Sequence, residues 1–359
     1  MDQALEVVYK TRMHLMEQLI GTQFGLLAAF VATAALVVVA GIKLSVYGDA
    51  LGDRTGLGNG LVGLVFLAGV TSLPELVVSL TSVLKATTLA NGADLSTGNM
   101  LGSNVFNLLI LALMALLFPK KFQPSKMDTS HTDSTIYGLI MLGLFALSYL
   151  ASYRNNWLVP GLDCTWIVLS LPITYFFILM REHKQHQKAD QEAHRPEETQ
   201  LAQAPHARFY SILLGLCGLI ILGGVLLSML GSRMALPPEQ GGFGMEASLI
   251  GTVFLAISTS LPELVISFAS IRMGFLDMAV GNVLGSNMFN LLILFVADIA
   301  MRNASLLEHA SSKHWTSVIL ILVLTFMAGA LLRTKTRTTA ATISILMLIL
   351  YAAAMTLFI

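Results

Sequence analysis

Long apolar segments recur along the whole chain and are separated by short polar or glycine-rich stretches. A helix that spans a membrane needs about 20 mainly apolar residues. The pattern therefore predicts an all-α polytopic membrane protein with ten transmembrane helices, at approximately Phe24–Tyr47, Leu61–Leu84, Gly98–Phe118, Ile136–Tyr153, Cys164–Met180, Tyr210–Leu230, Met245–Ile271, Met278–Met301, Trp315–Leu332 and Ala340–Phe358.

One sizeable hydrophilic segment divides these helices into two groups of five. We expect a first half over residues 1–180, a cytoplasmic linker over 181–208 and a second half over 209–359. The linker is too short for a folded regulatory domain, which usually needs about 50 residues or more. Four of its histidines could bind a metal, although the charged composition favours a flexible linker; they are His183, His186, His194 and His206.

Composition supports the membrane interpretation. The chain is 55% hydrophobic and 12% charged, whereas a soluble domain carries about 25% charged residues. The formal net charge is zero, so nothing indicates a nucleic-acid partner.

Two motifs occur twice in the same order. TSLPELVVSL begins at Thr71, and TSLPELVISF begins at Thr259. GNMLGSNVFNLLIL begins at Gly98, and GNVLGSNMFNLLIL begins at Gly281. The offset between copies is nearly the same for both motifs. Chance repetition of two ordered motifs is very improbable, so the chain is a duplication.

The distribution of positive charge predicts the orientation. With the N-terminus outside, 14 of the 21 lysines and arginines fall on the cytoplasmic side, as the positive-inside rule requires. The linker is then cytoplasmic and the C-terminus is outside. Since each half has an odd number of helices, the two copies enter the membrane in opposite directions, which is typical of secondary transporters.

The first motif places a carboxylate inside an apolar run. A charge there costs about 2.5 kcal/mol or more, which makes Glu75 a candidate functional residue. Pro74 lacks an N–H group and crowds the carbonyl of Val70. We therefore expect the helix to kink or open at Val70–Ser72 and to leave carbonyl oxygens free. Hard cations prefer such a cluster of oxygens.

The duplication should bring Glu75 and Glu263 together near the membrane midplane. Like charges so close in a medium of low dielectric require a cation or a proton. Hydroxyl groups lie three or four residues before each glutamate, on the same helical face, and add neutral oxygens; they belong to Thr71, Ser72, Thr259 and Ser260.

The second motif supplies a polar stripe with a spacing of four residues: Asn99, Ser103 and Asn107 in the first copy, and Asn282, Ser286 and Asn290 in the second. Four glycines keep these helices thin, so that a neighbouring backbone can approach; they are Gly98, Gly102, Gly281 and Gly285. Simple helix packing is the favoured role of Gly102 and Gly285. Contact with an ion is the favoured role of Asn107 and Asn290.

These paired motifs resemble the α-repeats of the calcium/cation antiporter superfamily, in particular its prokaryotic sodium/calcium exchanger branch. The resemblance implies a multi-pass protein of the prokaryotic inner membrane that exchanges Ca²⁺ for Na⁺ by alternating access. It implies that Glu75 and Glu263 bind calcium, with backbone carbonyls from Thr71 and Thr259. Flanking sodium sites would use the side chains of Ser72, Ser260, Ser103, Ser286, Asn107 and Asn290. No cofactor and no obligate protein partner are expected.

One departure from the family keeps the coupling ion open. Several exchangers of this branch carry an aspartate where this chain has Asn290, so only two carboxylates are visible at the centre. A Ca²⁺/H⁺ antiporter of the same superfamily is therefore the alternative. The GSN-x-x-N form resembles the sodium branch more closely.

Two other classes of protein fit less well. A passive cation channel would need an open pore, and the duplication with proline-bearing helices favours alternating access instead. An intramembrane enzyme would need a Ser–His or Asp–Asp constellation, and the motif helices offer none. Asp298 comes closest, and its position near a helix end predicts an interfacial side chain.

Overall fold

The computed structural model describes residues 22–86, 88–127, 130–152, 159, 164–192, 201, 203–243, 259–301 and 304–357. Its long helices account for most of these residues. They are α1 (Gln23–Thr55), α2 (Asn59–Lys85), α3 (Leu89–Leu117), α4 (Ser130–Ser152), α5 (Ser170–Glu192), α6 (His206–Ala235), α7 (Leu261–Met273), α8 (Leu276–Ala300), α9 (His314–Leu332) and α10 (Arg337–Leu357). Short helical turns occupy Pro124–Lys126, Pro238–Gln240 and Leu306–His309.

Eight of these helices are long and apolar enough to cross a membrane, within the described residues. The other two are α5, which ends in a charged run, and α7, of which 13 residues are described. The predicted span Met245–Ile271 thus lies partly outside the described residues. Large apolar side chains such as Leu222, Phe326 and Ile349 are exposed, as expected for helices that face lipid. The structure is an all-helical membrane protein.

The four motif-bearing helices α2, α3, α7 and α8 pack together at the centre. Helices α1 and α6 form a pair on one side, where α1 packs on α7 and α6 packs on α2. On the other side α9 and α10 pack on α3, α4 packs on α9, and α4 and α5 both contact α8. The repeated motifs are therefore shielded from lipid by the remaining helices.

Glycines allow α2 and α8 to touch backbone to backbone. A Cβ atom on Gly281 would collide with the carbonyl of Gly60, and one on Gly285 would collide with the carbonyl of Leu64. The predicted close approach is therefore confirmed at these two positions. A Cβ atom on Gly102 would meet nothing within 4 Å in the described part of the chain, so the same contact is not made there.

Helices α1 and α6 run antiparallel. At one end the Gln23 side chain donates a 2.7 Å hydrogen bond to the carbonyl of Gly242, which follows α6. At the other end the Arg54 guanidinium donates to the carbonyl of Ala204 and lies 4.1 Å from the ring centre of Phe209, at the start of α6.

Two histidine–aspartate pairs also join the halves. Asp94 of α3 lies 3.2 Å from the Nε2 atom of His314 at the start of α9, and Asp277 of α8 lies 3.0 Å from that of His131 in α4. The two aspartates are related by the same offset along the chain as the two copies of the second motif, and so are the two histidines. Each pair therefore ties the polar-stripe helix of one copy to a helix of the other copy.

The helix α5 differs from its predicted bounds. It begins at Ser170 rather than Cys164 and continues past Met180 to Glu192, so the first part of the predicted linker is helical. Within it Glu182 is fully buried and accepts a 3.0 Å hydrogen bond from the Ser134 hydroxyl. This buried contact extends the helix beyond the apolar run that predicted it.

The histidine-rich linker is only partly described. The His206 ring stacks on Tyr210, and its Nδ1 atom lies 3.4 Å from the Arg54 guanidinium. The side chains of His183, His186 and His194 fall outside the described residues, so the less favoured alternative of a metal site there is not tested.

Candidate cation site

The two proline-bearing segments meet at one point beside α6. A Cβ atom on Gly224 would lie 2.5 Å from Pro74 and 3.3 Å from Pro262, so the absence of a side chain lets α6 pass over both prolines. The residues after these prolines, Glu75 and Glu263, are thereby held on adjacent helices. Both motifs contribute to a single site.

The helix does not open at Val70–Ser72 as predicted. The α-helix is continuous from Ala68 to Lys85 with Pro74 inside it. The backbone instead widens one turn earlier, into a π-helical turn at Val62–Leu67. A single π turn of this kind is one of the recognised causes of a kink in a helix and often lies at a functional site.

In the second copy the α-helix does begin within the motif. Ser260 has φ −99° and ψ 19°, and α7 starts at Leu261 with Pro262 in its first turn. A proline at a helix start loses no intrahelical hydrogen bond, because the first N–H groups have no partner there.

The two glutamates form the charged centre. Glu75 and Glu263 are each 1% exposed, and a negative charge on one raises the electrostatic energy of the other. The Oε1 atom of Glu263 lies 3.5 Å from the hydroxyl of Ser72 in the opposite copy. Both carboxylate oxygens of Glu75 and the Oε2 atom of Glu263 are buried without a hydrogen-bond partner among the described residues. Burial of unpaired carboxylates is costly unless a cation or protons neutralise them.

Hydroxyl groups of one copy meet hydroxyl groups of the other, although the two pairs are not equivalent positions. The Thr71 hydroxyl lies 3.3 Å from that of Ser286, and Ser260 donates a 3.2 Å hydrogen bond to Ser103. These four side chains are buried, whereas Thr259 is half-buried. The predicted hydroxyl residues therefore link the two copies on the same helices as the glutamates, and Ser72 lies beside Glu263.

Carboxamides complete the set. Neither amide atom of Asn107 has a hydrogen-bond partner among the described residues, and the same holds for the Oδ1 atoms of Asn282 and Asn290. The Nδ2 atom of Asn282 donates a 2.9 Å bond to Ser267. The Asn99 amide nitrogen is buried without a described partner. All ten predicted site residues thus lie on the four central helices or directly beside them, and their binding of a cation stays a prediction.

Sequence reasoning missed the asparagine that follows the serine in each GSN motif. Asn104 is 1% exposed. Its Oδ1 atom accepts a 2.9 Å bond from Asn290, and its carbonyl accepts a 3.2 Å bond from Asn287. The signal was present, because a polar residue repeated inside an apolar helix is costly there. It was overlooked because the spacing of four residues excludes this position from the predicted stripe.

The expectation for Asp298 was wrong. Its side chain is 1% exposed rather than interfacial. It accepts a 2.7 Å bond from the Leu306 N–H and a 3.3 Å bond from the Ser305 hydroxyl. Asp298 therefore caps the short helix after α8 and lies apart from the central site.

The donor set suits a hard cation. Among the described residues, no group of three or more His, Cys, Asp or Glu side chains could hold a metal. Two carboxylates, five buried hydroxyls and several carboxamide oxygens remain, and calcium binds six to eight such oxygens. Softer metals would require thiolate or imidazole ligands instead.

A family model and several known proteins match most of the chain. The family model described as sodium/calcium exchanger protein matches residues 25–180 and 212–359. The inner membrane protein YrbG of Escherichia coli (strain K12) is 27% identical over 83% of this chain and 87% of its own length. The sodium/calcium exchanger MaX1 of Methanosarcina acetivorans is 25% identical over 68% of this chain and 74% of its own length.

Solved structures share the fold. The sodium-calcium exchanger NCX_Mj, soaked with Na⁺ and Sr²⁺, superposes with a TM-score of 0.65 at 21% identity, over 92% of this chain and 97% of that one. Its structure soaked with Na⁺ and Ca²⁺ gives 0.64 at 20% identity. The chain belongs to the sodium/calcium exchanger protein family, which is a family of membrane transporters rather than of enzymes.

Proposed function

We propose that this protein exchanges Ca²⁺ for Na⁺ across the membrane by alternating access, with both ions using the site around Glu75 and Glu263. The observation that carries the proposal is the meeting, between the two copies, of two buried carboxylates whose oxygens mostly lack a hydrogen-bond partner among the described residues. A cation carrier needs such a group of ligands at the interface of its repeats.

Charge balance explains why one site can serve both ions. The ionised glutamates carry a charge of −2, which one calcium ion neutralises. Two sodium ions would also neutralise it, and three would leave a net charge near +1. The two glutamates and the carbonyls of Thr71 and Thr259 would bind calcium. The hydroxyl and carboxamide oxygens on either side would form the sodium positions, through Ser72, Ser260, Ser103, Ser286, Asn107 and Asn290.

The proposal also includes the number and orientation of the membrane helices. We infer ten membrane helices in two inverted halves, residues 1–180 and 209–359, joined by the linker 181–208. The antiparallel α1 and α6 support inversion. So do the symmetric pairs Asp94–His314 and His131–Asp277.

Orientation is proposed from basic residues that meet at one face. The Lys121 side chain donates to the carbonyl of Arg272, and Arg54 donates to Ala204 of the linker. That face would be cytoplasmic by the positive-inside rule, with both termini outside. The similarity to an inner membrane protein supports the prokaryotic inner membrane as the location.

A Ca²⁺/H⁺ antiporter is the second candidate. This candidate is favoured because asparagine rather than aspartate stands at both Asn107 and Asn290, which leaves the two glutamates as the carboxylates of the site. The two glutamates could release calcium by taking up two protons. The neutral oxygens that surround the glutamates favour sodium, since a proton carrier would not need them.

Calcium uptake into everted membrane vesicles tests the proposal. Vesicles that contain the protein are given an outward sodium gradient at equal pH, or an outward proton gradient without sodium. We expect uptake to follow the sodium gradient and to disappear in the Glu75→Gln variant. Uptake that follows only the proton gradient would establish the second candidate. Uptake that needs neither gradient would indicate a channel.

A further inference from the structure

Asn104 and Asn287 differ in their hydrogen bonds to Asn290 and Asn107, the two asparagines of the proposed cation site. Asn104 and Asn287 are counterparts in the two copies of the GSN motif, as are Asn107 and Asn290. Perfect symmetry would give two equivalent bonds, Asn290 to Asn104 and Asn107 to Asn287. Of these two, the described residues form only the first, with Nδ2 of Asn290 donating to Oδ1 of Asn104 over 2.9 Å.

The atoms of the missing bond are both present and unpartnered. The Nδ2 atom of Asn107 and the Oδ1 atom of Asn287 are buried without a hydrogen-bond partner in the described part of the chain. The Asn287 amide nitrogen donates instead to the backbone carbonyl of Asn104, over 3.2 Å. The donor and acceptor for a second bond therefore exist, and this conformation does not join them.

The bond that is made determines what Asn290 offers to a cation. Its nitrogen is engaged by Asn104, so its Oδ1 atom is left as the free end, buried and without a partner among the described residues. Asn290 also lies one helical turn after Ser286, which contacts Thr71 in the site. A carboxamide whose nitrogen is tied away presents an oxygen without further reorientation. By contrast, the Asn107 carboxamide is unanchored at both atoms within the same described set.

The surroundings leave room for the carboxamides to rearrange. Asn104 and Asn287 both line a cavity of about 20 Å³ between α3, α4, α8 and α9, which is large enough for one water molecule. Hydroxyl groups of Ser134, Thr135 and Thr325 complete its polar wall. A water molecule in this cavity could form a hydrogen bond with a carboxamide while that carboxamide exchanges one partner for another.

We propose that Asn104 and Asn287 are reciprocal positioning residues, each of which holds the ligand carboxamide of the other copy. Asn104 holds Asn290 in the conformation seen here, and Asn287 holds Asn107 in the opposite-facing one. Since an inverted duplication exchanges the roles of its halves when the transporter reverses, the bond that is absent on one side of the cycle forms on the other. This inference rests on the proposed sodium-coupled exchange.

A double-mutant cycle tests whether Asn104 acts through Asn290. We expect Asn104→Ala to raise the sodium concentration for half-maximal exchange roughly threefold, less than loss of Asn290 itself, with little change in maximal rate. The same change should have no further effect in an Asn290→Ala background. Asn104→Asp keeps an acceptor oxygen and should not raise that concentration. Ser148→Ala, which removes another buried hydrogen bond between side chains, serves as the control.

The side of the membrane from which sodium activates exchange tests the reciprocal role of Asn104 and Asn287. In oriented proteoliposomes, Asn104→Ala should weaken sodium activation from one side of the membrane and Asn287→Ala from the other. Additive effects of Asn104→Ala and Asn290→Ala, an unchanged sodium dependence, or weakening from the same side in both single variants would overturn the inference. If Asn104→Ala fails to reach the membrane, Asn104→Ser replaces it, since serine is too short to reach the Asn290 amide. Failure of the proposed function itself would appear in the wild-type protein, as calcium flux that ignores sodium.

Discussion

The two copies of the motif pair are nearly identical in sequence but not in structure. The first copy runs as an unbroken helix through Pro74, with a π turn at Val62–Leu67. In the second copy, the α-helix begins at Leu261. The Asn290 carboxamide is anchored, whereas that of Asn107 has no partner among the described residues.

Under the proposed alternating access, this difference would define one state of the transport cycle. A carrier whose halves were identical in conformation would face both sides of the membrane equally. Alternating access requires that the halves adopt different conformations and exchange them. The asymmetric features lie at the central site, whereas the histidine–aspartate pairs near the ends of the helices are symmetric.

The largest effect should come from the charged centre, where the copies are expected to be equivalent. Glu75→Gln and Glu263→Gln should each abolish calcium exchange, because each removes half of the visible negative charge. Glu182→Gln is the matched control, since it changes a fully buried glutamate outside the site. Calcium flux in proteoliposomes measures all three. Wild-type rates in either central variant would remove the glutamates from the mechanism.

Substitution of two counterpart glycines should lower the thermal stability of the protein in one case and not in the other. Gly285→Ala drives a methyl group into the carbonyl of Leu64, whereas Gly102→Ala meets no described atom within 4 Å. Overpacking of this kind costs about 1–3 kcal/mol, so the Gly285 variant should unfold at a clearly lower temperature in detergent. Equal melting temperatures for the two variants would show that the backbone contact between α2 and α8 contributes little.

The ligand asparagines should affect sodium more than calcium. Asn107→Ala and Asn290→Ala each remove a neutral oxygen, and we expect the sodium concentration for half-maximal exchange to rise roughly fivefold, corresponding to about 1 kcal/mol. Calcium affinity should change less, because the glutamates dominate its binding. No change in sodium dependence in either variant would return both residues to a packing role.

The smallest effects should come from the symmetric pairs. His131→Ala and His314→Ala each remove one partly exposed hydrogen bond to an aspartate, which contributes about 0.5–1.5 kcal/mol. Because the pairs are counterparts, the two losses in thermal stability should be similar. A large loss in one variant alone would mean that the ends of the molecule are as asymmetric as its centre.

Much of this arrangement could be predicted from the sequence. A repeated carboxylate inside an apolar run pointed to Glu75 and Glu263, and the helical spacing pointed to hydroxyl and carboxamide residues on the same packed helices. Their binding of ions stays a prediction. The family resemblance is confirmed by the match to the sodium/calcium exchanger protein model.

The remainder depends on packing between distant segments. The sequence near Pro74 predicts a kink or an opening at Val70–Ser72, but nothing local shows that the α-helix continues there and that a π turn lies upstream. Asp298 looked interfacial, because nothing local indicates that its carboxylate caps the helix that follows. The relation between Asn104 and Asn290 joins different halves of the chain and is invisible to helical spacing.

Calcium flux at a clamped membrane potential tests the central claim most directly. Purified protein in proteoliposomes is held at fixed and equal pH on both sides, and sodium is added or withheld on one side. We predict that the sodium gradient alone drives calcium against its own gradient, and that Glu75→Gln and Glu263→Gln abolish this movement. Calcium flux that is indifferent to sodium and follows an imposed pH gradient instead would contradict the account.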